Sequence, residues 1–374
     1  MRACFVVHGA FWSGATRAFA EAASLLASRG YETCFVAPAG SEAERRLGAA
    51  GHDVIGMAER GGWLRAGWRL RGVVARRLSE VLFVHSDREH LTAAAAIRFA
   101  GRGAVVRRTS AGERLSLGRD GRLAMRLAGT GFVFTHADDM RGMTPPRGAL
   151  AAHIAPPGVP VPVDLVTSVA GAVGTPRPPA HPTAVGAITS EGPRLVVCIG
   201  ADRRREALVT LRALALLAPR IPALRATVVL PAADTDAMRL EAAALGVAER
   251  LDWRASAGPA GDTLDQAALA WVIANADDAA YAVLDALSHG VPVLGERTPL
   301  TARFVEDGVS GVLRHRGDEA EWASVVAALL AQPERAAAMR AAARGAAARF
   351  PLEAGADSWL QVTEAARDRT RWTA

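Results

Sequence analysis

Two acids eight residues apart, Asp277 and Asp285, stand in the stretch DDAAYAVLDALSHGVPVLGE that runs to Glu296. The pattern reads as a loop carrying Asp277 and Asp278, a helix from about Ala279 to Ser288, a Gly-Val-Pro turn at Gly290–Pro292 and a short apolar strand. Immediately before it, LAWVIA at Leu269–Ala274 is an apolar run short enough for a buried strand. In such a unit the helix N-terminus lies at the carboxyl end of a strand, where open parallel sheets bind ligands. Aligned peptide dipoles and unsatisfied N–H groups make that end suited to a phosphate. Carboxylates beside a phosphate most naturally accept hydrogen bonds from sugar hydroxyls. The plainer alternative is that Asp277 and Asp278 cap a helix and Asp285 is a solvated helix residue.

The rest of the chain supplies elements of one kind. Strands expected at 3–7, 31–40, 53–57, 81–87 and 104–108 alternate with helices at 17–28, 42–50 and 90–100, which means a doubly wound parallel sheet. GFVFTHADD (Gly131–Asp139) and HIAPPGVPV (His153–Val161) close this half. Val169–Pro193, rich in Gly, Pro, Ala and Thr, reads as an interdomain linker. The alternation then restarts with RLVVCIGA at Arg194 and ends in helices near 318–331, 333–349 and 351–367. The expected layout is a first domain at 1–168, the linker at 169–193, a second domain at 194–350 and a terminal segment at 351–374 that crosses back to the first half. Two such halves imply a cleft between them.

At 374 residues the chain is too long for one ordinary core. The N-terminal ACFVV is expected to be a first strand rather than a signal peptide, and no apolar run approaches a membrane span. Cys4, Cys34 and Cys198 each fall inside an expected strand and lack a CxxC partner, which points to buried reduced thiols in a cytoplasmic protein. The net charge of +6 comes from arginine alone, since the sequence holds no lysine. No aromatic-interleaved basic motif of a nucleic-acid module is present, so no nucleic-acid partner is expected.

The second half resembles the nucleotide-sugar domain of family 4 retaining glycosyltransferases of the GT-B fold. The resemblance rests on Asp277 and Asp285 where that family carries two glutamates, on GVPVL (Gly290–Leu294) and on FVEDGVSGVL (Phe304–Leu313), with ungapped spacing from Asp277 to Gly311. It covers about Arg194–Phe350, and GATRAFAEAASLLASRGYETCFVAP (Gly14–Pro38) is similar to the family's first Gly loop and helix. The resemblance implies two Rossmann-like doubly wound domains facing a cleft. It implies that Asp277 holds sugar hydroxyls of the donor, that Asp285 accepts from the ribose, and that N–H groups near Ala279 and Ala280 meet the diphosphate, with Asp278 beside them.

In the family the loop after the domain's first strand offers an Arg and a Lys to the diphosphate, stabilising the leaving nucleotide without a metal. Here that loop reads GADRRRE (Gly200–Glu206), with Ala201 at the arginine position. Arg203, Arg204 or Arg205 is expected to serve instead, because a guanidinium grips phosphate in a bidentate way. Ser13 and Gly14 match the family's Gly-Gly, where a small residue admits the donor. The acceptor-side histidine of many relatives has no counterpart near Arg108–Ala111. His85, His90 and His136 lie at other strand ends and read as surface or core histidines.

Arg60–Arg77, RGGWLRAGWRLRGVVARR, interleaves Trp63, Trp68, Leu70, Val73 and Val74 with arginines. It fits either a helix docking on an anionic membrane surface or a helix packed on the sheet, tryptophans buried and arginines exposed. FVVHGAFWSGA also resembles the oxyanion loop of α/β-hydrolases, but the nearest nucleophile text, ALSHG (Ala286–Gly290), lacks the first Gly. Asp234–Asp236 (DTD) imitates a metal motif, and no Gly-x-Gly-x-x-Gly follows the first strand. The expected protein is a cytoplasmic hexosyltransferase, peripheral to the inner face of the membrane if Arg60–Arg77 docks there. It would act on a nucleotide-sugar donor and a glycan or lipid-linked acceptor, needing no cofactor or metal. The alternative is a catalytically degenerate GT-B protein that binds a nucleotide-sugar or a partner without transfer.

Overall fold

The computed structural model describes residues 2–58, 61–77, 79–141, 143–160, 192–201, 203–231, 234–255 and 261–369. The chain divides into two compact units, Met1–Pro157 with Leu352–Ala374, and Gly158–Pro351. The stretch read as a linker lies outside the described residues except for Gly192 and Pro193.

The first unit runs β1 (Arg2–Val6), α1 (Gly14–Ser28), β2 (Glu32–Pro38), α2 (Glu42–Ala49), β3 (Val54–Met57), α3 (Trp63–Arg77), β4 (Val81–Val84), α4 (Asp87–Ala100), β5 (Ala104–Arg108), α5 (Arg119–Leu127), β6 (Thr130–Phe134), α6 (Ala137–Met140) and β7 (Ala149–Ile154). Its strands pair in parallel in the order β3-β2-β1-β4-β5-β6-β7. Successive strand residues face opposite sides. Ala3 and Phe5 therefore pack with Phe19, Phe35, Phe83 and Trp359 on one side. Cys4 and Val6 pack with Cys34, Leu70, Val74 and Leu82 on the other. Phe5 stacks against its register partners Phe35 and Phe83, with ring centroids 5.1 and 4.6 Å away. Burial on both faces is why these strands read as unbroken apolar runs. All three cysteines are buried and free.

Helix α3 buries Gly67, Leu70, Val73 and Val74. Gly67 permits the close packing of α3 on α4, since a Cβ there would lie 2.8 Å from Ala95 Cβ and 3.2 Å from the Thr92 carbonyl. The buried stripe leaves the next residue, Trp68, about 100° round the helix and outward-facing. Trp68 is 57% exposed, which corrects the expectation that the tryptophans of this segment are buried.

The second unit runs β8 (Arg194–Ile199), α7 (Arg204–Leu217), β9 (Arg225–Leu230), α8 (Thr235–Ala244), β10 (Leu251–Ala255), α9 (Gly261–Asp265), β11 (Leu269–Ile273), α10 (Ala276–Ser288), β12 (Val293–Glu296), α11 (Thr301–Phe304), β13 (Gly311–Arg314), α12 (Glu319–Leu330) and α13 (Pro333–Ala347). Its parallel sheet has the order β10-β9-β8-β11-β12-β13. On the face covered by α7, α8 and α12, Trp271 of β11 meets Trp322 of α12 at 5.4 Å between ring centroids. Helix α10 packs on β11, β12 and α13. The last helix, α14 (Ala356–Arg367), belongs to the first unit, where Trp359, Val362 and Ala366 join the Phe5 cluster.

Candidate functional site

In each sheet the strand order reverses once, between β1 and β4 and between β8 and β11. Loops at the carboxyl ends of strands flanking such a reversal diverge and leave a crevice for a ligand. In the second unit the two flanking loops are Gly200–Arg203 and Ala274–Asn275. They run close together: Gly200 N–H donates to the Ile273 carbonyl at 2.9 Å, and a Cβ on Gly200 would lie 3.0 Å from Ala274 Cβ. Of the expected donor residues, Gly200 is thus required by close approach.

Helix α10 begins earlier than the sequence pattern implies. Its N-cap is Asn275 and its first residue is Ala276, so Asp277 and Asp278 lie in the first helical turn rather than in a loop. Ala276 has φ +48°, a left-handed conformation that costs a residue with a Cβ of order 1–3 kcal/mol. The Ala279 N–H is taken by the Asn275 carbonyl at 3.1 Å. The amides that the helical ladder does not engage therefore precede Ala279. This corrects the expectation for Ala279 and Ala280, which are buried within the ladder. Asp277 is also buried, while Asp278 and Asp285 are half-buried. The Cys198 thiol is pushed up to about 12, chiefly by burial, with the charge of Asp285 raising it further.

The three candidate arginines part company. Arg204 and Arg205 are exposed at the start of α7, whereas Arg203 is only 9% exposed. Arg203 donates from Nη2 to Asn275 Oδ1 at 2.5 Å and to Glu296 Oε2 at 3.4 Å, and from Nη1 to Glu206 Oε1 at 3.0 Å. Arg316 pairs with the same two acids, at 3.0 Å to Glu206 and 3.6 Å to Glu296. Two arginines and two glutamates thus close a ring of alternating charge. Beside the ring lies a cavity of about 710 Å³, open to solvent, lined by Arg205, Thr298, Thr301, Trp271 and Trp322 together with the ring itself. Sequence reasoning missed Asn275, Glu296 and Arg316. Asn before a helix is a capping signal, and Glu296 ends a strand at the ligand-binding edge, so both were detectable.

In the first unit, Ser13 is the N-cap of α1. Its Oγ accepts from Thr16 N–H at 3.3 Å and lies 3.1 Å from Thr16 Oγ1, while Gly14 is the buried first helical residue. Glu89 bridges the reversal point here, accepting from the amides of His8 (2.9 Å), His85 (2.7 Å) and Ser86 (2.9 Å). No histidine follows β5, but His85 from the end of β4 brings Nε2 to 3.3 Å from Ser110 Oγ. His90 is a core residue, with Nε2 2.9 Å from Thr130 Oγ1 and its pKa driven down to about 3 by burial, with Arg107 adding to the shift. His136 caps α6 through Nδ1, which accepts from Asp138 N–H at 3.1 Å. ALSHG falls at the end of α10, not at a strand-to-helix elbow, which removes the hydrolase alternative.

Residues 193–332, which contain this second-unit site, match the family model described as glycosyl transferases group 1. No curated protein sequence matches the chain. Among solved structures, the Anabaena protein HepE in complex with UDP-glucose superposes with a TM-score of 0.70 at 13% identity, covering 97% of this chain and 99% of that one. A glycosyltransferase from Rickettsia africae gives 0.66 at 11% identity, over 97% of each chain. Sucrose-phosphate synthase from Thermosynechococcus elongatus gives 0.65 at 11% identity, over 97% and 98%. The fold is therefore GT-B, built of two Rossmann-like parallel-sheet domains, and the matched segment supports a glycosyltransferase.

Proposed function

We propose that this protein transfers a hexose from a nucleotide-sugar donor to a glycan or lipid-linked acceptor, with retention of the anomeric configuration. The observation that carries the reading is the convergence of Gly200, Arg203 and Asn275 at the strand-order reversal of the second sheet, with Asp277 in the helical turn that follows Asn275, inside the segment matching the glycosyltransferase family model. The first turn of α10 offers amides and a positive dipole end to the diphosphate. Arg203, Arg204 and Arg205 stand at the facing loop and offset the charge that builds on the departing nucleotide. Asp277 and Asp278 take the sugar hydroxyls and Asp285 the ribose. HepE has been solved with UDP-glucose, which supports a uridine nucleotide as the first donor to try.

The chemistry proposed needs no metal, because the leaving-group charge is met by guanidinium and helix amides. Nucleoside diphosphate release from UDP-, GDP- and ADP-sugars, measured with and without chelator, tests this. Release that disappears in chelator contradicts it. A second reading has an observation of its own. Glu206 and Glu296 already neutralise Arg203, as suits a protein that binds a nucleotide-sugar without cleaving it. Donor binding by thermal shift with no release under any acceptor condition would favour that reading.

A further inference from the structure

The outer face of α3 carries a pattern that the fold does not use. Leu64 is 53% exposed, Trp68 57% and Phe99 of the neighbouring α4 38%. Leu64 and Trp68, four apart, lie one above the other on a helix, and Ala75 continues their line. The same geometry puts Arg71 on one flank of this apolar strip and Arg65, Arg69 and Arg76 on the other. From Trp63 to Arg77 there is no acidic residue. Arg77, at the last turn of the helix, pairs with Asp53. An exposed aromatic strip costs solvation that a globular surface usually avoids, and contiguous apolar patches rimmed by polar groups mark interaction sites.

We infer that the outer face of α3, with Phe99, docks on an anionic lipid surface, the arginines meeting headgroup phosphates while Leu64, Trp68 and Phe99 enter the acyl boundary. Charge complementarity selects an anionic partner, and the apolar strip selects lipid. Arg71 already covers one face of Trp68 at 3.9 Å, and Phe99 meets it edge-on at 5.7 Å. The indole is therefore poorly placed to stack on a nucleic-acid base, whereas its outer edge can insert between lipids. The inference rests on the first unit alone and stands whether or not the donor reading holds.

The test is co-sedimentation of the full chain with vesicles of zwitterionic phosphatidylcholine and with vesicles containing phosphatidylglycerol as well. Binding is expected only to the anionic vesicles, and it should weaken as salt rises. Arg65→Gln with Arg76→Gln should weaken it roughly 25-fold, about fivefold for each arginine. Trp68→Ser should leave weaker binding that salt abolishes sooner. Arg239→Gln with Arg335→Gln removes the same charge from the second unit and should change binding little. Melting curves identify any variant that has failed to fold, and the two arginine pairs do not touch the core. Equal binding to both vesicle types, undiminished anionic-vesicle binding by the α3 variants, or binding to heparin without binding to vesicles would overturn the inference.

Discussion

Arg203 Nη2 lies 2.5 Å from Asn275 Oδ1, tying the loop after β8 to the cap of α10 across the point where the strand order reverses. The same guanidinium is held by Glu206 and Glu296. A buried arginine so held is pre-positioned, but its charge is already answered by carboxylates. A diphosphate entering the crevice must compete with them. Charge-assisted hydrogen bonds of this kind contribute about 1.5–3 kcal/mol. Glu296→Gln should therefore tighten nucleoside diphosphate binding roughly tenfold, and Arg203→Gln should weaken it by at least as much. Titration calorimetry reads both. Weaker binding by Glu296→Gln would show that the glutamate positions Arg203 more than it competes for it.

Gly200→Ala tests the close approach of the two loops. Its Cβ would sit 3.0 Å from Ala274 Cβ and 3.1 Å from Ala274 Cα, neither of which is the end of a flexible chain. The expected cost is about 1–3 kcal/mol of stability. Donor affinity should fall further than that loss explains, because Arg203 moves with the loop. An unchanged melting point would mean that the loops separate freely.

Ala276→Gly should act in the opposite sense. Glycine near a helix start ordinarily destabilises, but at φ +48° it relieves left-handed strain. A gain of about 1 kcal/mol is expected in denaturant unfolding. A loss of that size would mean the strain is not borne at Ala276.

How much of this was visible in the sequence depends on how local each feature is. The strands were legible because both sheets are covered on both faces, leaving runs such as LVVCI and LAWVI with few polar interruptions. The start of α10 was misjudged because Asn275 and Ala276 form an irregular entry that no apolar periodicity records. Glu296 was overlooked because its partner Arg203 is 93 residues away in the chain, a pairing that only the β8–β11–β12 neighbourhood creates. In α3 the arginines and tryptophans were plain, but which of them faces outward follows from the packing of Gly67 on Ala95.

His90 gives the first unit a definite acid response. Its folded pKa is about 3 against an ordinary 6.5, so between those values only the unfolded chain takes up the proton. The stability it contributes is complete above about pH 6.5 and falls away toward about pH 3, by up to about 1.4 kcal/mol per unit. Unfolding free energies of the wild type and His90→Gln should accordingly converge as pH drops from about neutral to about 4. A constant difference across that range would exclude His90 as the source of acid lability.

The central claim is that the carboxylate of Asp277, buried in the first turn of α10, holds the sugar of a nucleotide donor. The most direct measurement is donor-dependent nucleoside diphosphate release by the wild type, Asp277→Asn and Asp285→Asn, each checked for an unaltered melt. Release should fall at least about a hundredfold for Asp277→Asn, and Asp285→Asn should chiefly raise KM for the donor. Release by Asp277→Asn at the wild-type rate would contradict the account.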